Sequence, residues 1–492
     1  MKYLSTRGAG AVDAAQAILE GLAPDGGLYV MDEIPEAPAC FMDGSLDYPA
    51  LSARVLSACL PEFEKDALIR ETKAAYARFS VPEVTPVRQL DGETWLIELF
   101  YGPTLAFKDV ALQMLPRLVT MAEAMKGEKR VIHILTATSG DTGKAALEGF
   151  RDVPGTFCTV FYPDEGVSPL QKRQMVTSKG ANVQVVAVRG NFDDAQTAVK
   201  RLFADPAFRS CLDKMGRLPS SANSINIGRL LPQIVYYFYA YGQLVKKGAI
   251  RQGDRVSVCV PTGNFGDILA CWYAKRMGLP VATMICASNE NHVLTDFIKT
   301  GVYDVGRPFL KTISPSMDIL ISSNLERLLF ELCGRDSARV RAMMADLKEK
   351  GRFELTGPEH RALTDEFVGV YATDDDTRDT IRRVFYACGA LTDPHTAVGL
   401  FAVDRLRREG TLTGPVLSNA TASPFKFVHD VSEALRLPRQ DDVWKGAEAL
   451  AQKAGVSVPQ AISSLKDAPV LHSSVVDPDD MGAAVIDRIK GA

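Results

Sequence analysis

"FYGPTLAFKDVALQMLPRL", residues 100–118, contains the residue on which the reading of this chain turns. The run before it, "TWLIELF" (Thr94 to Phe100), is dense in apolar and β-branched residues and reads as a strand. It enters a Gly-Pro turn, and an apolar helical pattern begins near Leu105, which puts Lys108 in the first helical turn with Phe107 before it. The free N–H groups of a helix start form a positive end that disfavours a cation. A lysine so placed is either a surface charge or an amine used in its neutral form.

The surrounding pattern repeats the same succession of strand, turn and helix. "VIHILTAT" (Val131 to Thr138) precedes "SGDTGKAALEGF", "TFCTVFY" (Thr156 to Tyr162) precedes "PDEGVSPLQKRQM", and "RVSVCV" (Arg255 to Val260) precedes "PTGNFGDILACWYAKRMG". Units of this kind predict an α/β fold on a parallel sheet. "PVLSNATASP" (Pro415 to Pro424) predicts one further strand and turn. Residues 1–93, with one clear amphipathic segment, "VDAAQAILEGL", are expected as an N-terminal domain, residues 94–430 as the catalytic region and residues 431–492 as a helical and extended C-terminal segment packed on it. The charged stretch at about 323–383, including "ARVRAMMADLKEKGRF" and "TDDDTRDTIRR", predicts a helical insertion with a solvated face.

Bulk composition narrows the functional classes. A chain of 492 residues is long enough for two or three packed units. Its 46% hydrophobic and 24% charged residues and net charge of −4 describe an ordinary globular protein without a basic field for nucleic acid. No apolar run has the length of a membrane span; "LLPQIVYYFYAYGQLV" (Leu230 to Val245), interrupted by Pro232 and Gln233, predicts a buried helix. Arg7, Asp13 and Gln16 break up the N-terminal stretch, so no signal peptide is expected and a cytoplasmic protein is. Nine scattered cysteines without a C-x-x-C pair argue for reduced thiols, and six histidines without ligand spacing argue against a metal site.

Two stretches have the composition of anion cradles. In "ATSGDTGKAAL" (Ala137 to Leu147) small residues open directly into a helix, whose unpaired N–H groups would face a common concavity, with Ser139 and Thr142 adding hydroxyls. Asp141 capping a structural helix would also explain it. It is not a P-loop, since Thr138 and Ala145 stand where that motif needs Gly and Ser or Thr. "PTGNFGDILA" (Pro261 to Ala270) offers a second cradle or a plain glycine turn. Both would lie at the carboxyl edge of the sheet. A helix start and apolar neighbours favour a neutral Lys108, the form that condenses with a carbonyl. A cofactor with an aldehyde and a phosphate, pyridoxal 5'-phosphate, resolves the misfit: its phosphate takes one cradle and a substrate carboxylate the other.

"ELFYGPTLAFKD", "SGDTG", "VPTGNFGD", "SPSMDI" with "SSN", "DPHTAVG" and "YLSTRG" together resemble the threonine synthase family, pyridoxal-phosphate enzymes acting on O-phospho-L-homoserine, over residues 3 to about 427. The resemblance implies the two-lobed fold of the tryptophan synthase β type. It implies that Lys108 is the Schiff-base lysine and that Gly263, Asn264, Phe265, Gly266 and Asp267 form the cofactor phosphate loop. Ser139, Gly140, Asp141 and Thr142 would receive the substrate carboxylate and border the ring, and Thr421 would meet the pyridine nitrogen. For the substrate phosphate, "NSINIGR" with Asn226 and Arg229, "SPLQKRQM" with Ser168, and Lys426 are candidates. The chain departs from the family at Tyr101, where histidine is usual, at Ser423 and Phe425 in "TASPFKF" for "TAHPAKF", and at His292 in "NHVL" for "NDVL". The implied reaction is loss of phosphate from Cγ and addition of water at Cβ, giving L-threonine, by a monomer or homodimer without membrane or nucleic-acid partner. The alternatives are another lyase of the same fold acting on a phosphorylated or hydroxylated amino acid, and a non-catalytic phospho-ligand-binding protein.

Overall fold

Apolar runs that alternate with helical stretches can be buried on both faces of a parallel sheet, and the chain builds two such sheets. The computed structural model describes residues 1–138, 140–164, 167–190 and 192–491. One sheet has five parallel strands in the order Ser474–Val476, Val183–Val188, Thr156–Pro163, Val131–Ala137, Arg217–Ser220. The other has six, in the order Phe367–Tyr371, Val281–Ser288, Val256–Pro261, Val416–Ala420, Thr94–Glu98, Val87–Gln89, parallel except for the last pair. Every residue of Thr156–Pro163, Val183–Val188, Val256–Pro261 and Val416–Ala420 is buried, as helical cover on both faces requires.

The helix Ile227–Lys246, buried along the whole of 227–242 with Pro232 inside it, packs against Tyr48–Cys59, Lys108–Leu112 and Gly266–Arg276. It is a core helix, and among the described residues no helix is long and apolar enough to cross a membrane.

Three regions differ from the expectation. The N-terminal region holds helices Tyr48–Cys59 and Lys65–Tyr76 beyond the amphipathic one at Ala14–Glu20. The first of these buries Tyr48, Leu51, Ser52, Val55, Leu56 and Cys59 at helical spacing behind an Asp47 cap, a face masked in the sequence by its serines and alanines. The stretch 323–383 is not a purely helical insertion. It contributes Phe367–Tyr371, which pairs in parallel with Met284–Ser288 as an edge strand, and Arg352–Glu354, which pairs with Val302–Asp304. The C-terminal segment likewise supplies an edge strand, Ser474–Val476 on Val186–Val188. Edge strands need only one partner and carry weak alternation, so they are faint in sequence.

The helix Asp141–Phe150 lies directly on Lys108–Leu112 because Gly149 allows it: a Cβ there would stand 1.9 Å from the Leu112 carbonyl oxygen. Gly149→Ala must push the two helices apart. Its expected cost is about 3 kcal/mol of unfolding free energy, read from urea titration. A cost under about 1 kcal/mol would show that the contact relaxes without consequence.

Candidate active site

Lys108 opens the helix Lys108–Leu112, and the turn before it is stitched down on all sides. Leu105 has φ 62°, a left-handed conformation that costs a leucine roughly 1–3 kcal/mol. Hydrogen bonds offset that strain: Ser423 N donates to Leu105 O (3.0 Å), Phe107 N to Thr421 O (2.8 Å) and Lys426 Nζ to Thr104 O (2.8 Å). The buried Asp109 carboxylate accepts from Thr104 N (2.8 Å) and Oγ1 (2.7 Å). Burial raises the Asp109 pKa to about 6 against these hydrogen bonds. Gly102 is required here, since a Cβ would stand 2.4 Å from Asp109 Cβ.

The Lys108 amine is 3.3 Å from Ser316 Oγ, 3.8 Å from Asp141 Oδ2 and 5.3 Å from the Phe107 ring centroid, and its side chain is 13% exposed. Burial pushes its pKa down to about 8; Asp141 opposes the shift, and the charges of Arg229 and Lys426 add to it. A lysine in the unfolded chain titrates near 10.4, so between roughly pH 8 and 10.4 the unfolded state binds more protons. The cost of a buried ammonium is therefore fully present below pH 8 and is relieved as pH rises through this window. Cofactor-free protein should gain about 3 kcal/mol of stability across it, a gain absent from Lys108→Met, measured by denaturant titration at each pH. Equal pH profiles for the two proteins would contradict the buried-amine assignment.

Asp141 is the first residue of Asp141–Phe150, the helix started by "SGDTG". Burial would raise its pKa, but Lys426 Nζ at 2.8 Å, Lys108 and Gln171 Nε2 at 3.0 Å hold it well below the usual carboxylate range. The N-cap residue Gly140, at φ 153°, has no side chain to cap this helix; Thr138 Oγ1 instead accepts from Gly140 N and from Gly143 N in the first turn (3.0 Å each). Thr142 is half-buried at the helix start. Ser139 lies outside the described residues.

The second candidate cradle falls at the start of Gly266–Arg276, with Phe265 at φ 61° and no side-chain cap. Gly263 packs under the Ser316 segment, where a Cβ would meet the Ser316 carbonyl oxygen at 2.7 Å. Ser322 Oγ donates to Gly263 O (2.8 Å), and Asn324 Nδ2 to Asn264 O (3.0 Å). The Asp267 carboxylate faces the core instead of the cradle: it accepts from Tyr236, Tyr237 (2.6 Å) and Asn419 (3.0 Å). Thr421 is buried at the end of Val416–Ala420 and bound through Phe107 N to the lysine turn.

The candidates for a substrate phosphate separate. Asn226 is fully spent as a helix cap: its Nδ2 donates to Ile18 O (3.0 Å) and Ser221 O (3.1 Å) and its Oδ1 accepts from Gly228 N (2.9 Å). Ser168 caps Pro169–Val176 and bonds Gln171. Both assignments give way to a structural role, because a side chain with its polar atoms satisfied within the fold has none left for a ligand. Lys426 is committed to Asp141 and Thr104. Arg229 keeps the clearest capacity: Nη1 donates to Ala222 O (3.0 Å), while its Nε is buried without a partner.

The departures also find places. Tyr101 donates to Glu98 Oε2 (2.9 Å). His292 pairs with Asp296 (2.9 Å) and stacks on Tyr371. Ser423 caps the turn Pro424–Phe427, in which Phe425 is buried. Ser316, Asp393, His395 and Thr396 carried no assigned role in the sequence, although "SPSMDI" and "DPHTAVG" marked their segments.

Two helix starts whose N-cap residues supply no capping side chain, an unpartnered buried guanidinium nitrogen and an amine whose pKa burial lowers to about 8 fit a ligand carrying an aldehyde and two or more anionic groups. Fold and site together define a pyridoxal-phosphate-dependent enzyme, and pyridoxal phosphate is its cofactor. The model of that family, "Pyridoxal-phosphate dependent enzyme", matches residues 80–421, and "Threonine synthase N terminus" matches residues 2–76. The chain is 41% identical to the threonine synthase of Pseudomonas aeruginosa over 88% of this chain and 90% of that one. It superposes on the PLP-bound threonine synthase from Brucella melitensis with a TM-score of 0.85 at 38% identity, covering 100% of this chain and 99% of that one. For the yeast threonine synthase the TM-score is 0.88 at 32% identity, with the same coverage. The chain belongs to the threonine synthase family, with the two-lobed α/β fold of the tryptophan synthase β type.

Proposed function

We propose that the protein converts O-phospho-L-homoserine and water to L-threonine and phosphate, with Lys108 as its catalytic residue. The single observation that carries this is the Lys108 amine, held by Ser316 and Asp141 beside the starts of the helices Asp141–Phe150 and Gly266–Arg276. When bound, the cofactor supplies an aldehyde for the amino group and a ring that takes up the electron pair left at Cα. Gly263, Asn264, Phe265 and Gly266 hold its phosphate on backbone N–H groups at the helix start. Thr421 presents a hydroxyl to the ring nitrogen. Gly140 and Thr142, beside Ser139, hold the substrate carboxylate.

The Lys108 amine, whose pKa burial lowers to about 8 in the cofactor-free protein, keeps a neutral fraction at neutral pH that can act as a base. It takes the Cα proton and hands it to the substrate's phosphate group, takes the Cβ proton as hydrogen phosphate leaves Cγ, and returns that proton to Cγ; water then adds its hydroxyl at Cβ and gives its proton to the amine, which delivers it to Cα. Ser316 Oγ keeps the amine in place between these transfers. Arg229 holds the substrate phosphate through its unpartnered Nε. Arg229→Gln should raise KM for O-phosphohomoserine about tenfold or more with a smaller change in kcat; an unchanged KM would move the phosphate site elsewhere.

The test is an assay of purified protein with pyridoxal phosphate and O-phosphohomoserine. Phosphate and threonine should appear in equal amounts. A yellow protein that releases neither would sink the substrate assignment, and a colourless one would sink Lys108 as the point of attachment.

A further inference from the structure

The segment "DPHTAVG" (Asp393 to Gly399) packs behind the site, with Gly399 against Pro261, and its buried polar groups form two chains that end on one carboxylate. Asp393, which is 0% exposed, caps the helix Pro394–Arg408 by accepting from His395 N (2.9 Å). The same Oδ1 accepts from His395 Nδ1–H (2.8 Å). The far side of that ring, Nε2, accepts from Ser316 N (3.1 Å). A backbone N–H can only donate, so Nε2 carries a lone pair and the ring proton sits on Nδ1. Ser316 in turn accepts from Lys108 Nζ at Oγ (3.3 Å). The imidazole is packed edge-on against Phe427 (centroids 4.9 Å apart, planes at 62°), which fixes its rotation.

The second chain leaves the other oxygen. Thr396 donates its hydroxyl to Asp393 Oδ2 and accepts from Thr421 N at Oγ1 (3.2 Å). Thr421 closes the circuit, since its carbonyl accepts from Phe107 N, the residue before Lys108 (2.8 Å). In both chains each donor points towards Asp393, so one buried charge orders all of them. A helix cap accounts for the bond to His395 N and for neither of the two side-chain bonds.

We propose that Asp393 is the positioning residue of this active site. Through His395 it places Ser316 on the Lys108 amine, and through Thr396 it places Thr421, so that the groups addressing the aldehyde end and the ring-nitrogen end of the cofactor are held in one register. This rests on the roles given above to Lys108 and Thr421. Partners that orient the ligands of a metal change its affinity or activity by about 10–100-fold when removed, and a loss of the same order is expected here.

The decisive variant is Asp393→Ser, which keeps a capping hydroxyl for the helix but is too short to reach His395 Nδ1 and Thr396 together. Paired variants separate the two arms. His395→Phe removes the acceptor for Ser316 N, and His395→Gln restores one at about the same reach. Thr396→Val removes the hydroxyl, and Thr396→Ser restores it. Cofactor-free proteins are titrated with pyridoxal phosphate, following affinity and the position of the bound absorption band, with thermal unfolding recorded alongside. Asp393→Ser should weaken cofactor binding about tenfold or more and displace the band, with kcat falling more than KM rises. His395→Phe and Thr396→Val should each show part of this loss, and His395→Gln and Thr396→Ser should lie within about threefold of the wild type. Asp393→Ser with wild-type affinity and band overturns the proposal, as does equal damage from each arm's removing and restoring variants, which would make the segment a packing element only. A wild type that binds no cofactor overturns the site roles and the proposal with them; a yellow wild type with an unchanged Asp393→Ser overturns the proposal alone.

Discussion

Lys108→Ala should abolish the yellow colour, leave nothing for borohydride to trap, and lower phosphate release from O-phosphohomoserine by about 10⁴-fold or more. The size follows from two losses at once: the amine that attaches the cofactor and the base that moves protons at Cα and Cβ, the second alone being worth about 10²–10⁴-fold. The variant should still fold. The amine's neighbours are Ser316 and Asp141, and Asp141 keeps Lys426 at 2.8 Å as its counter-ion. Below pH 8 the change even removes the cost of a buried ammonium. Folded, colourless and inactive protein is therefore the expected triad; retained colour would place the attachment on another lysine.

The second large effect is on stability. Lys426→Met should cost about 3–5 kcal/mol, because it strands the Asp141 carboxylate, 4% exposed, beside a lysine that is largely neutral above pH 8. It also removes the Nζ–H donated to Thr104 O and so loosens the turn that holds Leu105 in its strained conformation. Adding Asp141→Asn to Lys426→Met should recover part of the loss, since an amide tolerates burial without a counter-ion better than a carboxylate does. Denaturant midpoints of the four proteins of that cycle give the coupling directly. A double variant no more stable than Lys426→Met alone would show that the ion pair is not what the ammonium supplies. The acid limb of the wild-type profile should show the same pair. The Asp141 pKa is depressed in the folded state, so its stabilisation is present above the unfolded value near 3.9 and is lost as pH falls below it.

Much of the architecture is legible in the sequence because the central strands and the helices after them are long, apolar and bounded by glycine turns. The strands Val131–Ala137, Thr156–Pro163 and Val256–Pro261 begin and end within about one or two residues of the runs that predict them. Phe367–Tyr371 and Ser474–Val476 are not legible in this way, since short edge strands in charged surroundings are defined by the partner they find. The site divides likewise. Lys108 and the two glycine cradles stand out because a cation at a helix start and small residues at a strand end are local anomalies. Asn226 and Ser168 have the right chemistry for a phosphate and the wrong surroundings, because the fold uses their polar atoms as caps.

By itself, then, the sequence determined the class of fold and singled out the amine and the two glycine-bearing helix starts as candidates, for these depend on spacing along the chain and on the chemistry of single residues. Tertiary structure alone decided which charges meet. Lys426 and Asp141 are far apart in the chain yet 2.8 Å apart in the fold, and their pairing helps set the protonation of Lys108. It also decided that Asp393 gathers Ser316 and Thr421 through His395 and Thr396. Electrostatic energies in a buried site depend on distance and desolvation, and neither quantity exists until the two sheets and their helices have packed.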